Sequence, residues 1–164
     1  MSEPRSVLVF GIGNPARGDD ALGVRLIERM RAHCPAVEVL EVFQLQVEHA
    51  LDLCGVDLVL FCDAAVGLKQ SCELREIEPG ASRLAFSHAM SPQAVLDVFE
   101  RIHGYTPPPA FLLAMRADSM GLGETLSSVG EQSLESAWTV ARRLCAEPSV
   151  AVWRRYAAAE LNSP

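Results

Sequence analysis

Short apolar runs alternate along this chain with segments whose apolar residues recur every three or four positions. Val7–Phe10, Val37–Phe43 and Phe111–Met115 read as strands, and Asp57–Asp63 is a buried strand closed by an acid. Cys72–Ile77 alternates apolar and polar side chains, as an edge strand does, and Glu78-Pro-Gly turns the chain after it. Between these runs, Leu22, Leu26 and Met30 lie at helical spacing, with Val24 and Ile27 widening the apolar face. That predicts a helix from Ala21 to His33, ended by Pro35. A short helix is expected at Val47–Leu53. Another runs from Ser91, an N-cap ahead of Pro92, to His103, and the last core helix covers Val129–Cys145. The alternation predicts an α/β three-layer sandwich: a twisted, mostly parallel sheet of about five strands flanked by helices on both faces. One domain is expected over residues 1–148. Residues 149–164 form a C-terminal extension in which Val150–Leu161 is helical and packs through Val152, Trp153, Tyr156 and Leu161.

Composition narrows the function classes. A chain of 164 residues, 49% hydrophobic and 21% charged, suits one globular domain with a sizeable core. Its net charge of −7 argues against nucleic acid as a partner, which would call for a basic face. The five cysteines, Cys34, Cys54, Cys62, Cys72 and Cys145, show no CxxC spacing and sit largely in apolar segments, as reduced thiols do. Cys62 lies inside a strand run and reads as an inert buried thiol. Met90, Met115 and Met120 read as packing residues. No run is long enough to span a membrane, and the apolar run after MSEPRS is too short for a signal sequence, so the expected location is the cytoplasm.

In an open α/β sheet, ligands bind outside the carboxyl ends of the strands. Three acceptor groups are expected at that edge: Asp20 after the first strand, Asp63 at the end of a central one, and His88 in the polar loop before the Ser91 helix. Two carboxylates and an imidazole make a three-ligand site with open positions for a divalent metal, suited to polarising a carbonyl or activating water. Each has a plainer reading. Asp19 or Asp20 serves as cap and dipole partner of the helix at Ala21, with Asp19 the better cap and Asp20 the better ligand. Asp63 accepts amides of the following turn, and His88 is solvated, with His33, His49 and His103 equally eligible by residue type. Gly11, Gly13 and Gly18 lack the GxGxxG spacing, and two aspartates at the helix start would repel a pyrophosphate.

The stretch Gly11-Ile-Gly-Asn-Pro-Ala-Arg-Gly-Asp-Asp-Ala-Leu-Gly23 resembles the N-terminal signature of the hydrogenase maturation proteases. The resemblance continues through Leu58-Val-Leu-Phe-Cys-Asp-Ala64 and His88-Ala-Met-Ser91, and more loosely through Leu112–Leu126. It implies a cytoplasmic endopeptidase of the aspartyl/metal-dependent type, whose partner is the precursor of a nickel–iron hydrogenase large subunit. Such an enzyme removes the precursor's C-terminal extension once nickel is in place. Asp20, Asp63 and His88 then fall on the family's metal-contacting positions, and the nickel they contact is carried by the substrate, with no permanently bound cofactor. A monomer is expected. Where many members carry an Asp-Gly-Gly-Thr-type turn after the second strand, this chain has Glu41–Ala50, and Gln44, Gln46 and Glu48 there are expected to influence the choice of client, with a cytoplasmic bidirectional or NAD-linked hydrogenase favoured. The competing readings are a nickel-binding maturation chaperone without hydrolysis and a small nucleotide-binding α/β domain.

Overall fold

The computed structural model describes residues 6–80 and 90–161. Five strands form one sheet in the order β2-β1-β3-β5-β4. They are β1 (Val7–Ile12), β2 (Glu38–Val42), β3 (Leu58–Val66), β4 (Cys72–Ile77) and β5 (Ala110–Ala117). All neighbours run parallel except β4, which pairs antiparallel with β5 through Leu74↔Leu113 at the sheet edge. The four helices are α1 (Leu22–His33), α2 (Pro92–His103), α3 (Ser128–Ala146) and α4 (Val150–Leu161), with short 3-10 helices at Gly18–Ala21 and Val47–Leu53. The three-layer sandwich expected from the alternation of runs is the fold observed.

Period-2 geometry sends successive strand side chains to opposite faces, and a central strand must therefore be apolar throughout. In β1, Val7 and Val9 join one core with Leu22, Leu26, Ile27 and Met30 of α1 and Leu134, Ala137 and Leu144 of α3. Leu8, Phe10 and Ile12 join the other, with Leu53 and with Val95, Leu96 and Phe99 of α2. Phe10 stacks on Phe61 of β3 with ring centroids 5.0 Å apart. The extension after Pro148 belongs to the first core. Trp153 of α4 is 1% exposed, lies edge-on to Phe111 at 5.4 Å, and its indole N–H is shared between the carbonyls of Leu144 and Glu147. Arg154 grips the Glu76 carboxylate of β4 with two nitrogens at 2.8 and 3.0 Å. No helix among the described residues is long and apolar enough to cross a membrane.

Because Trp153 fills the first core and satisfies its polar atom there, Trp153→Ala should lower unfolding free energy by about 3 kcal/mol, read from urea denaturation. A loss under about 1 kcal/mol would mean that α4 is an appendage to the core.

Candidate functional site

The carboxyl edge of the sheet is assembled from backbone that comes unusually close. At Gly23, the second residue of α1, a Cβ would lie 2.5 Å from the carbonyl oxygens of both Ile12 and Cys62. Only glycine lets the start of α1 seat directly on the ends of β1 and β3. At Gly13, where φ is +140°, a Cβ would overlap the carbonyl of Asp20, so the turn leaving β1 folds tightly back on the 3-10 helix. The Gly13 N–H donates to the Val42 carbonyl at 3.0 Å and ties this turn to the end of β2.

These approaches bring Asp20 and Asp63 together. Asp20 is half-buried and accepts the Asn14 N–H on Oδ2 at 2.9 Å. Asp63 follows the fully buried Cys62, though it does not end its strand as expected. β3 runs on through Val66, which pairs with Ala117, because β5 continues alongside it. Loss of solvent pushes the Asp63 carboxyl up to about 7. The Ala64 amide works against that rise, and the negative charge of Asp20 adds to it. Two carboxyl groups that feel one another, one protonating near neutrality, form a centre that can hold a cation or exchange a proton. Burial likewise raises the Cys62 thiol, with the Asp63 charge reinforcing the shift, so the inert-thiol reading stands.

His88 lies outside the described residues. Met90, two residues further on, is placed: its N–H donates to the Leu45 carbonyl at 3.2 Å, bringing the chain before α2 against the loop that follows β2. The other histidines have their own surroundings. His33 packs against Trp138 at 5.6 Å, and His103 sits among Phe99, Tyr105 and Cys54. His49 accepts the Gln46 N–H on Nδ1 at 2.8 Å with its ring against Phe10. Among the described residues no group of three His, Cys, Asp or Glu side chains is placed to hold a metal ion.

Asp19 does not cap α1, and this corrects the sequence reading. The N-cap of α1 is Ala21, which has no side-chain cap, and Asp19 is fully buried beneath the head of α3. Its Oδ1 accepts the Ser127 N–H at 2.8 Å. Its Oδ2 accepts the Asp118 N–H at 2.8 Å, the Ser119 N–H at 3.1 Å and the Ser127 hydroxyl at 2.6 Å. Ser127 is the N-cap of α3, and its Oγ also accepts the Gly130 N–H at 3.0 Å. Asp19 therefore serves a helix N-terminus after all, but one 108 residues further along the chain. Burial opposes the charge on this carboxyl, yet the Ser127 hydroxyl and the three amides outweigh it and hold Asp19 below the ordinary carboxylate range. Sequence reasoning missed Ser119, Ser127 and Gly130. The signal available for them was Ser127 standing just before an apolar-periodic segment, which marks a helix start without saying what pairs with it.

An α/β sandwich with an acidic pair at the carboxyl edge defines the class of molecule, and comparison with known proteins places it further. No family sequence model matches the chain, and no curated protein matches it in sequence. Solved structures do. A [NiFe] hydrogenase maturation protease, HycI from Thermococcus kodakarensis KOD1, is 25% identical and superposes with a TM-score of 0.66, over 88% of this chain and 92% of that one. The hydrogenase maturating endopeptidase HybD from E. coli is 24% identical with a TM-score of 0.65, over 85% and 91%. An endopeptidase from Escherichia coli, solved in solution, gives 23% and 0.66, over 83% and 89%. The resemblance to hydrogenase maturation proteases thus extends from the glycine–aspartate motif to the fold of most of the chain.

The raised Asp63 carboxyl has a sign that can be checked. In the folded state its proton is held more tightly than in the unfolded chain. Its contribution to stability is therefore complete below the unfolded value near 3.8 and is lost as pH rises toward about 7. Asp63→Asn removes that loss. Relative to the parent, the variant should gain about 4 kcal/mol of unfolding free energy between pH 4 and pH 8 in paired denaturant titrations. A difference that stays constant with pH would mean that Asp63 is ionised at little cost.

Proposed function

We propose that this protein is an endopeptidase that removes the C-terminal extension of a nickel–iron hydrogenase large-subunit precursor after nickel insertion. The observation that carries this reading is the Asp20–Asp63 pair, set at the carboxyl edge of a fold shared with hydrogenase maturation proteases. In this reading Asp20, Asp63 and His88 contact the nickel that the precursor brings, and the enzyme carries no permanently bound cofactor. Nickel is then a recognition element of the substrate. The paired carboxylates supply both that contact and the acceptor for the proton of an attacking water. A carboxyl protonating near neutrality is matched to that second task. Cleavage adds the water across the peptide bond, its hydroxyl to the carbonyl carbon and its proton to the departing amine.

The surroundings of the pair favour a polypeptide over a small polar ligand. Phe43 after β2, Val47 in the adjoining 3-10 helix, Val66 at the tip of β3 and Leu122 in the loop after β5 all expose large apolar side chains on this side of the sheet. Gln44, Gln46 and Glu48 lie on the same segment as Phe43 and contribute to client choice. The protein works in the cytoplasm, as a monomer, where thiols such as Cys54 remain reduced.

Incubation with a nickel-loaded large-subunit precursor, followed by intact-mass analysis, should show loss of the C-terminal segment. A nickel-free precursor should remain whole. Asp63→Asn and Asp20→Asn should each slow trimming by about 1000-fold while the far-ultraviolet circular dichroism is unchanged. Binding of the loaded precursor without any loss of mass would instead identify a nickel-handling chaperone. Phe43→Ser should raise KM about fivefold, the equivalent of about 1 kcal/mol of apolar contact, and an unaltered KM would remove that side chain from the docking surface.

A further inference from the structure

The two aspartates of the motif are adjacent in sequence and face different parts of the molecule. Asp20 faces the Asn14 amide and the end of β3, while Asp19 is sealed under the loop of residues 118–127. That loop is laced to the turn carrying Asp20 by more than the Asp19 carboxylate. The Asp19 N–H donates to the Ser119 carbonyl at 2.8 Å, the Gly18 N–H to the Glu124 carbonyl at 3.1 Å, and the Gly123 N–H to the Ala16 carbonyl at 2.8 Å. Glycine is needed on both sides. A Cβ on Gly18, at φ +52°, would lie 2.6 Å from the Ser119 carbonyl oxygen, and one on Gly130 would overlap the Asp19 carboxylate.

We infer that Asp19 is a positioning residue: its buried carboxylate clamps the β5–α3 loop and the head of α3 onto the turn after β1, and so fixes Asp20 opposite Asp63. The physical reason is the cost of leaving either side unpaired. A buried carboxylate with four donors cannot shift without stranding charge, and the Asp118, Ser119 and Ser127 amides cannot leave it without losing their acceptor. One peptide unit separates Asp19 from Asp20, so the backbone carrying Asp20 inherits the rigidity of the clamp. The consequence for catalysis rests on the proposed role of Asp20 as a site residue; the geometric claim does not.

The Asn14 N–H, held by Asp20 Oδ2, reports the position of Asp20 directly. Asp19→Ala removes both carboxylate oxygens of the clamp and leaves the backbone bonds to the Ser119, Glu124 and Ala16 carbonyls in place. Asp19→Asn retains an oxygen for part of the set and turns an N–H₂ toward a donor, so its effect should be intermediate. Ser127→Ala removes the hydroxyl bond alone and serves as a milder variant if Asp19→Ala does not fold. Trp153→Phe, which loses its indole bonds at the far end of the first core, provides a destabilised control outside the site. In ¹⁵N-resolved spectra of the full chain, the Asn14 amide should move upfield in the order Ser127→Ala, Asp19→Asn, Asp19→Ala. Its hydrogen exchange should quicken about tenfold relative to the Val9 amide in the Asp19 variants, and keep pace with Val9 in Trp153→Phe. Precursor trimming should fall about 100-fold in kcat with little change in KM, as expected of a misplaced reacting group rather than a lost docking contact. An Asn14 amide unmoved in a folded Asp19→Ala or Ser127→Ala protein would overturn the inference. If the parent protein trims no precursor, the proposed function fails, and the Asn14 amide still decides the role of Asp19.

Discussion

The close seating of α1 on the ends of β1 and β3 is the constraint on which the rest of this molecule depends. A helix that begins after a strand ordinarily stands off the sheet by the width of its side chains. Here Gly23 brings helix backbone to within van der Waals reach of the Ile12 and Cys62 carbonyls, and Gly13 lets the intervening turn fold back over Asp20. Asp20 descends from one strand and Asp63 from the next but one in chain order, and these are neighbours in the sheet. Without the close approach, the Asp20 and Asp63 carboxyl groups would remain separately solvated. With it, the charge of one is felt by the other.

Electrostatics then divides the acids at this edge into two kinds. Asp19 is closed off from solvent, yet its charge is stabilised, because four donors converge on it. Asp63 loses solvent, is offered the Ala64 amide, and faces a second negative charge, so its proton is retained. Burial does not decide protonation alone; the donors and charges that accompany it do. The carboxylate with a full set of partners keeps its charge, and the one short of partners keeps its proton up to about pH 7. That contrast supports assigning a site role to the Asp20–Asp63 pair and a supporting role to Asp19.

Much of this architecture was legible along the chain. The all-apolar β1 signalled a strand covered on both faces, Cys72–Ile77 alternated as an edge strand should, and Ser91 before Pro92 marked the start of α2, where the Ser91 hydroxyl indeed accepts the Ala94 N–H. Each of these features is written in residues within a few positions of one another. Asp19 shows the opposite case. Its neighbours in sequence suggested the helix immediately after it, whereas all four of its hydrogen-bond donors come from residues 99 to 108 positions away. The length of β3 was misjudged for a related reason, since strand pairing beyond Asp63 depends on β5 continuing to Ala117 beside it.

By itself, then, the sequence determined the elements, their apolar faces, the mostly parallel α/β class, and that Asp20 follows the first strand while Asp63 belongs to a central one, because periodicity and turn chemistry are local properties of a chain. Tertiary structure alone decided which helix Asp19 serves, how closely α1 approaches the sheet, and that burial together with Asp20 holds a proton on Asp63 near neutral pH. Those outcomes depend on solvent exclusion and on donors brought in from distant segments, and neither exists until the sheet and its two helical layers have packed.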